Sequence, residues 1–479
     1  LRPRLRAQCR PRGPGGGGAV QRLRLRRHQR LADLPSALSR PAATIVRELP
    51  GVSDLAALAA AWPDRYPLLL ESTARGPLGR HDLLLAWSGE SLVGGHGDAD
   101  FAARLDAAQA AIAVPESPAA SPFIGGWGLF LAYEYAQSVE PRLALPRGAS
   151  GSPVALALRC PAAIVVDHAQ GLTRLIAESG HAGWLQRMAA DLEAAPPLEA
   201  CAPGFAALEE EPPERFLDGV ARVIEYLAAG DVFQVNLSRG WMLRPSERLR
   251  PVDLHAALRR ANPAPFAALL QWGGEAVVSS SPERLVQCAG GMVQTRPIAG
   301  TRPRSRDAAI DRALVAELVG HPKERAEHIM LIDLERNDLG RVCEAGSVEV
   351  SELMVVESYS HVHHIVSNVR GRLRAGVTPS QVIHAVFPGG TITGCPKVRC
   401  MEIIAELEQA ARGPYTGALG YLGRDGRMDL NILIRTLWTD AGRVHLRAGC
   451  GIVADSDPEH ELAESRAKAR GLLGAFGAA

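Results

Sequence analysis

The sequence predicts a mixed α+β fold, and three observations carry that expectation. Strand-like segments with period-two alternation occupy residues 231–239, 276–280 and 431–438. Helix-like segments at 322–334 and 396–408 interrupt them irregularly. Several strands follow one another with only short connections, which favours α+β over a strict βαβ alternation.

At 479 residues the chain exceeds the usual single core, so two structural regions are expected, and 47% hydrophobic with 22% charged residues is ordinary for a soluble globular protein. The formal charge of +1 conceals an asymmetry: residues 1–30 hold ten arginines and no acid, leaving the remainder acidic. This tail, with four glycines from Gly15 to Gly18, suits a nucleic-acid arm, a transit peptide or a non-native extension. Its composition cannot bury a core and the chain opens on Leu, so residues 1–40 are expected to be an extension, with no nucleic-acid partner. No run approaches the ~18 apolar residues of a membrane span. The eight cysteines lack CxxC spacing and no secretion signal precedes them, so reduced thiols and a cytoplasmic location are expected.

Residues 41–200 form an N-terminal region of short apolar runs (67–70, 83–87 and 162–166) punctuated by Gly and Pro, a pattern of strands and turns. The Pro- and Glu-rich stretch ending in Glu209-Glu-Glu-Pro-Pro-Glu214 marks a boundary, with 201–214 as linker and 215–479 as the chemistry-bearing domain.

In His321-Pro-Lys-Glu-Arg-Ala-Glu-His, Pro322 opens a helix and sets Glu324 and Glu327 at i and i+3 on one face. Asp455-Ser-Asp-Pro-Glu-His-Glu-Leu-Ala-Glu repeats the device: Asp457 or Ser456 caps, Pro458 lies in the first turn, and Glu461, Glu464 and Lys468 share a face. Each pair alone suits a solvated helix face, with a Glu464–Lys468 bridge contributing only ~0.3–0.5 kcal/mol. Two facing pairs suit magnesium, which takes carboxylate oxygens together with anionic substrate oxygens.

Strand alternation puts Gln234, Asn236 and Ser238 on one face, either a site wall or a solvent-facing row, with Phe233, Val235 and Leu237 opposite. Arg435 interrupts an apolar strand, and its fork fits a substrate carboxylate or a structural ion pair. The turn predicted at Arg447-Ala-Gly-Cys-Gly-Ile-Val and the Gly-rich run Phe387-Pro-Gly-Gly-Thr-Ile-Thr-Gly-Cys-Pro-Lys are anion-friendly backbone, or simply tight turns.

Together with Ser281-Pro-Glu-Arg, Arg296-Pro-Ile-Ala-Gly-Thr-Arg, Asp333-Leu-Glu-Arg-Asn-Asp-Leu-Gly-Arg and Tyr359-Ser-His-Val-His-His-Ile-Val-Ser, these segments resemble the chorismate-utilising enzymes. The resemblance is strong over about residues 215–475 and weaker at Leu68-Leu-Leu-Glu-Ser. It implies an antiparallel β-sheet sandwich flanked by helices, of the anthranilate synthase large-subunit type. It also implies Mg²⁺ on Glu327 and Glu464, with Glu324 and Glu461 binding directly or through water, the ion holding the ring carboxylate of chorismate. Arg435 would meet the enolpyruvyl carboxylate, and Tyr415, the amides of Gly449, Cys450 and Gly451, and Lys468 would complete the anion surface. Glu283 is similar to the general acid that protonates the departing C4 hydroxyl, a role that needs a carboxyl kept protonated by burial. His364 and Thr391 match residues that orient the ring. Glu71, Ser72, Pro265 and Phe266 resemble a tryptophan pocket, with ordinary strand and turn packing as the alternative.

Isochorismate and salicylate relatives carry a water-activating Lys where this chain has Gln234, so ammonia is the implied nucleophile. A glutamine amidotransferase subunit is the implied partner that supplies it. Within the family, Gln234-Val-Asn-Leu-Ser, Phe387-Pro-Gly-Gly-Thr-Ile-Thr-Gly and Gly426-Arg-Met-Asp-Leu-Asn-Ile-Leu-Ile-Arg favour the aminodeoxychorismate branch, which serves 4-aminobenzoate and folate synthesis. Ala299 stands where that branch often has a nucleophilic Lys, as in anthranilate synthases, which are the alternative; an Ala forms no covalent adduct. A nucleic-acid-binding reading rests on the basic tail alone.

Overall fold

The apolar runs that look featureless in sequence are strands buried on both faces, and period-two alternation divides each between two cores. Leu68, Leu83, Leu85, Ala163, Val165, Ala268 and Leu270 point inward against Phe130, Leu156, Leu158 and Leu419 of a second sheet. Their neighbours Leu69, Leu84, Ile164, Val166 and Leu269 point outward and meet Leu55, Leu58, Met188, Leu254, Leu258 and Leu472 on covering helices. Each such leucine stabilises by ~1.5–3 kcal/mol relative to exposure.

The computed structural model describes residues 43–74, 79–116, 121–148, 152–199, 201–359 and 362–477; the extension expected at 1–40 lies outside them. The larger sheet has twelve strands. It runs in the order Thr44–Pro50, Leu172–Glu178, Ala162–Asp167, His81–Ala86, Leu68–Glu71, Phe266–Trp272, Glu275–Ser281, Thr436–Asp440, Arg443–Ile452, Gln234–Pro245 and Gly394–Cys395, with Phe205–Glu210 also pairing to Gln234–Pro245. The smaller sheet has ten strands. Its order is Ile298–Pro303, Val362–Arg372, Met292–Thr295, Arg284–Ala289, Met428–Ile432, Ala418–Gly423, Gly126–Leu131, Ala155–Cys160 and Ser91–Gly94, with Glu349–Ser358 added on Val362–Arg372. Pairing is antiparallel, so the α+β class predicted from the sequence is the class observed. No helix among the described residues is long and apolar enough to cross a membrane, and the seven cysteines among them are free.

The regions assigned to 41–200 and 215–479 share both sheets: Leu68–Glu71 pairs with Phe266–Trp272, and Gly126–Leu131 with Ala418–Gly423. Residues 41–479 make one compact unit. The stretch expected as a linker at 201–214 holds the strand Phe205–Glu210 instead. Its acids are neutralised one by one, Glu209 by Arg244 at 2.8 Å, Glu210 by Arg239 and by Arg466 at 2.8 Å, while Glu211 accepts from the Gly240 N–H at 2.8 Å. A Glu-rich run is stable at a sheet edge when arginines face it.

Local signals place the site helices. Pro322 and Pro458 each stand in a first turn, where the missing N–H costs nothing, and Asp457 caps the second helix by accepting from the His460 N–H at 2.9 Å. Two expectations about strand extent also fail. The continuous strand expected over 431–438 is two strands: the chain leaves the smaller sheet at Ile432 and enters the larger at Thr436, with Arg435 at the crossing at φ 50°. Phe233, expected in the strand on the face with Val235 and Leu237, precedes the strand and is 69% exposed.

Candidate active site

Two neighbouring crossings between the sheets build the centre of the site. At one, Ser281-Pro-Glu-Arg joins the strand Glu275–Ser281 to Arg284–Ala289; at the other, residues 433–435 join Met428–Ile432 to Thr436–Asp440. They are tied together: the Ile432 N–H donates to the Glu283 carbonyl at 3.0 Å, the Ser281 hydroxyl to the Ile432 carbonyl at 2.5 Å, and the Ser280 N–H to the Arg435 carbonyl at 3.1 Å. The Glu283 carboxyl and Arg435 guanidinium are thereby brought into electrostatic contact.

Burial pushes the Glu283 carboxyl up to about 7, against the opposing pull of Thr391, the Ile298 backbone and Arg435. By geometry its Oε1 and the buried Oγ1 of Thr391 complete no hydrogen bond among the described residues, although the two side chains lie close enough for Thr391 to oppose the upward shift. Two adjacent unpaired buried polar atoms are what a site leaves for substrate to satisfy. Thr391 sits on the one-turn helix Gly390–Ile392, behind which helix Pro322–Gly340 packs so closely that a Cβ on Gly390 would lie 2.3 Å from Leu334 Cδ2. Burial, then Arg435, depresses the His364 imidazole to about 4, and its Nδ1 lies 2.8 Å from the Thr301 hydroxyl, so a neutral ring faces the site. Ala299 is buried in an irregular stretch of pairing between Ile298 and Thr301. Among the described residues Arg435 forms no direct salt bridge with a carboxylate, and the charge acting on it is that of Glu283.

The segment 449–451, expected as a turn, lies inside the strand Arg443–Ile452, paired with Gln234–Pro245 through Ser238 to Gly449 and Asn236 to Gly451. Its glycines answer to the partner strand. A Cβ on Gly451 would fall 2.1 Å from Gln234 Nε2, and one on Gly449 2.3 Å from the Leu237 carbonyl oxygen. Gln234 therefore lies across Gly451 and donates from Nε2 to Glu327 Oε1 at 3.0 Å.

The four glutamates fall into different settings. Ligand atoms of Cys450, Glu461 and Glu464 lie within 4.8 Å of one another. The Ser456 hydroxyl donates to Glu461 Oε1 at 2.7 Å, and Lys468 Nζ reaches Glu464 Oε1 at 2.8 Å and the Gly449 carbonyl at 2.9 Å. Glu327 Oε1 accepts from Gln234 Nε2, whereas Glu324 Oε1 accepts from Arg302 Nη1 at 2.7 Å and its Oε2 is buried without a partner among the described residues; neither glutamate is among the clustered ligand atoms, so the structure does not bring the two pairs together as one close set. Among the described residues the clustered ligand atoms are those of Cys450, Glu461 and Glu464, and the cluster's two carboxylates suit a hard divalent cation.

Glu71, Ser72, Pro265 and Phe266 come together around a separate cavity of about 360 Å³ that Arg284, Tyr421 and Asp429 also line. Glu71 Oε2 lies 2.7 Å from His255 Nε2, the Ser72 hydroxyl donates to the Pro265 carbonyl at 2.7 Å, and Arg284 lies over the Phe266 ring at 4.9 Å.

Sequence reasoning missed two buried polar groups. Lys397 Nζ meets Asp338 Oδ2 at 2.6 Å, and beside them burial, with the Asp338 charge, pushes the Glu335 carboxyl up to about 8. Glu408, Arg412 and Arg447 form the other group, beneath Tyr415. Asp338 and Lys397 sit in segments singled out for their pattern, but a charge's burial has no local signal.

The chain thus presents a buried acid, a half-buried arginine in electrostatic contact with it, and a cluster holding two carboxylates. A family model described as chorismate binding enzyme matches residues 70–474, and the chain belongs to that family. Among curated relatives, anthranilate synthase component 1 of Streptomyces coelicolor is 44% identical over 403 residues, covering 79% of this chain and 77% of the relative. Aminodeoxychorismate synthase component 1 of Bacillus subtilis is 51% identical over 256 residues, 53% of this chain and 54% of the relative. The crystal structure of anthranilate synthase component I from Streptococcus pneumoniae superposes with a TM-score of 0.74 at 30% identity, covering 83% of this chain and 93% of that one.

Proposed function

We propose that this chain is the chorismate-binding component of an aminodeoxychorismate synthase, replacing the C4 hydroxyl of chorismate by an amino group from ammonia. The observation that carries the proposal is Glu283: a buried carboxyl held near 7, with Oε1 unpartnered next to an unpartnered Thr391 hydroxyl.

In this reading Arg435 holds the enolpyruvyl carboxylate, with Tyr415, the backbone at 449–451 and Lys468 around it. His364, neutral at physiological pH, and Thr391 orient the ring. Glu283 gives its proton to the C4 hydroxyl as the C–O bond breaks, and water leaves. Ammonia forms the new C–N bond, and the proton it sheds restores Glu283. Gln234, an amide, activates no water and leaves the nucleophile's place to ammonia. Ala299 offers no side-chain nucleophile, so the route is direct attack rather than a lysine adduct. Glu461 and Glu464, joined by Glu327 and Glu324 directly or through water, would hold magnesium, whose charge would neutralise the ring carboxylate of chorismate. A glutamine amidotransferase subunit supplies the ammonia, and the cavity at Glu71, Ser72, Pro265 and Phe266 takes tryptophan.

A second reading, anthranilate synthase component I, is favoured by Ala299 and by the more numerous relatives with that name. Purified protein incubated with chorismate, ammonium and magnesium tests both. Consumption of chorismate that needs ammonium and stops with a chelator supports the shared chemistry; ammonium-independent or absent consumption overturns it.

A further inference from the structure

The surface that receives substrate is assembled from segments far apart in sequence, and one side chain grips most of them from behind. Arg412 is 1% exposed and spends its whole guanidinium on four targets. Nη2 donates to the Asn236 carbonyl at 2.7 Å, and Nη1 to the Ile392 carbonyl at 3.1 Å and the Thr416 hydroxyl at 3.3 Å. Nε and Nη2 hold the Glu408 carboxylate at 3.0 and 2.6 Å. Glu408 in turn accepts from the Ser238 N–H and hydroxyl, both at 2.8 Å, and from Arg447 Nη2 at 3.0 Å.

Glu408 apart, each gripped group lies within four residues of one assigned to the site. Asn236 and Ser238 follow Gln234 on its strand; Ile392 follows Thr391; Thr416 follows Tyr415; Arg447 lies two residues before Gly449. Thr416, at φ 64°, also donates its N–H to the Leu433 carbonyl at 2.8 Å, at the crossing that carries Arg435. The arginine further lies 5.6 Å from the Tyr415 ring and 4.8 Å from that of Tyr133.

We infer that Arg412 is the positioning residue of the chorismate surface, setting Gln234, Thr391 and Tyr415 in register from behind without touching substrate. The inference rests on the reading of chorismate as substrate. A planar fork is essential to it: Lys retains the charge opposite Glu408 but cannot reach the Asn236 and Ile392 carbonyls together. Misplacement by about 1 Å of groups that orient a substrate costs about 100-fold in rate.

The test compares wild type with Arg412→Lys, measuring the thermal midpoint and the kinetics of chorismate and ammonium well below it. Wild-type consumption of chorismate comes first; its absence defeats the reading of function rather than this inference. With wild type active, Arg412→Lys is expected to lose about 100-fold in kcat/KM for chorismate while the KM for ammonium stays unchanged. A lowered midpoint with chorismate kcat/KM within about twofold of wild type would mean a purely structural role and overturns the inference. Should Arg412→Lys fail to fold, Thr416→Val, which removes one partner and keeps the shape, decides. A loss of about threefold or more in chorismate kcat/KM supports positioning, and a smaller one overturns it.

Discussion

Replacing Glu283 with Gln removes the one carboxyl whose burial the proposed chemistry requires, and the consequence for stability follows from its titration. Folding raises this group from 4.5 to about 7, with burial the chief cause. An unfolded chain releases the proton near 4.5 while the folded one keeps it to about 7, so the protonated form's contribution is intact below 4.5 and lost as pH rises through 7. At 1.36 kcal/mol per unit, the wild type forfeits roughly 3 kcal/mol across this window. Gln does not titrate. Every other ionisable group is common to both proteins, so the stability of Glu283→Gln minus that of wild type should rise by up to roughly 3 kcal/mol between pH 5 and pH 8. Denaturant unfolding of both proteins without substrate, at unit pH steps, measures it. Turnover of the variant should fall by ~10²–10⁴, and wild-type turnover should decline as pH passes 7. A stability difference flat with pH, or a variant that turns over chorismate at close to the wild-type rate, would refute the buried-acid argument.

Gly451→Ala places a methyl 2.1 Å from Gln234 Nε2 and should separate Gln234 from Glu327. Turnover is expected to drop at least about tenfold, because the displaced amide is a movable side chain in the site. Gly449→Ala meets the Leu237 carbonyl at 2.3 Å instead, so it should lower stability by ~1–3 kcal/mol, readable in the same unfolding assay. Glu464→Gln should abolish magnesium binding by titration calorimetry while circular dichroism stays that of wild type; retained binding removes Glu464 from the metal set.

Legibility in the sequence followed the range of the forces involved. Pro322, Asp457 and Pro458 announce their helices because caps are local chemistry, and the runs at 67–70 and 162–166 are strands because burial on both faces needs unbroken apolar residues. Gly449 and Gly451 have the local signature of a turn; the true constraint is a strand over 200 residues earlier, whose Gln234 and Leu237 occupy the space of two side chains. The same holds at 201–214, where Pro and Glu suggest a linker until Arg239, Arg244 and Arg466 arrive from elsewhere to face the acids. Arg435 was legible as an odd charge in an apolar setting, but not its place at a crossing between sheets. Arg412 carried only the local signal of an i,i+4 pair with Glu408; its carbonyl partners at Asn236 and Ile392 are 176 and 20 residues away.

Product identity with ¹⁵N-ammonium reveals which ring carbon receives nitrogen. Chorismate, magnesium and labelled ammonium are incubated with the protein and the products resolved by mass spectrometry. The account predicts labelled aminodeoxychorismate that retains its enolpyruvyl arm and yields 4-aminobenzoate when a lyase is added. Labelled anthranilate released with pyruvate would contradict it.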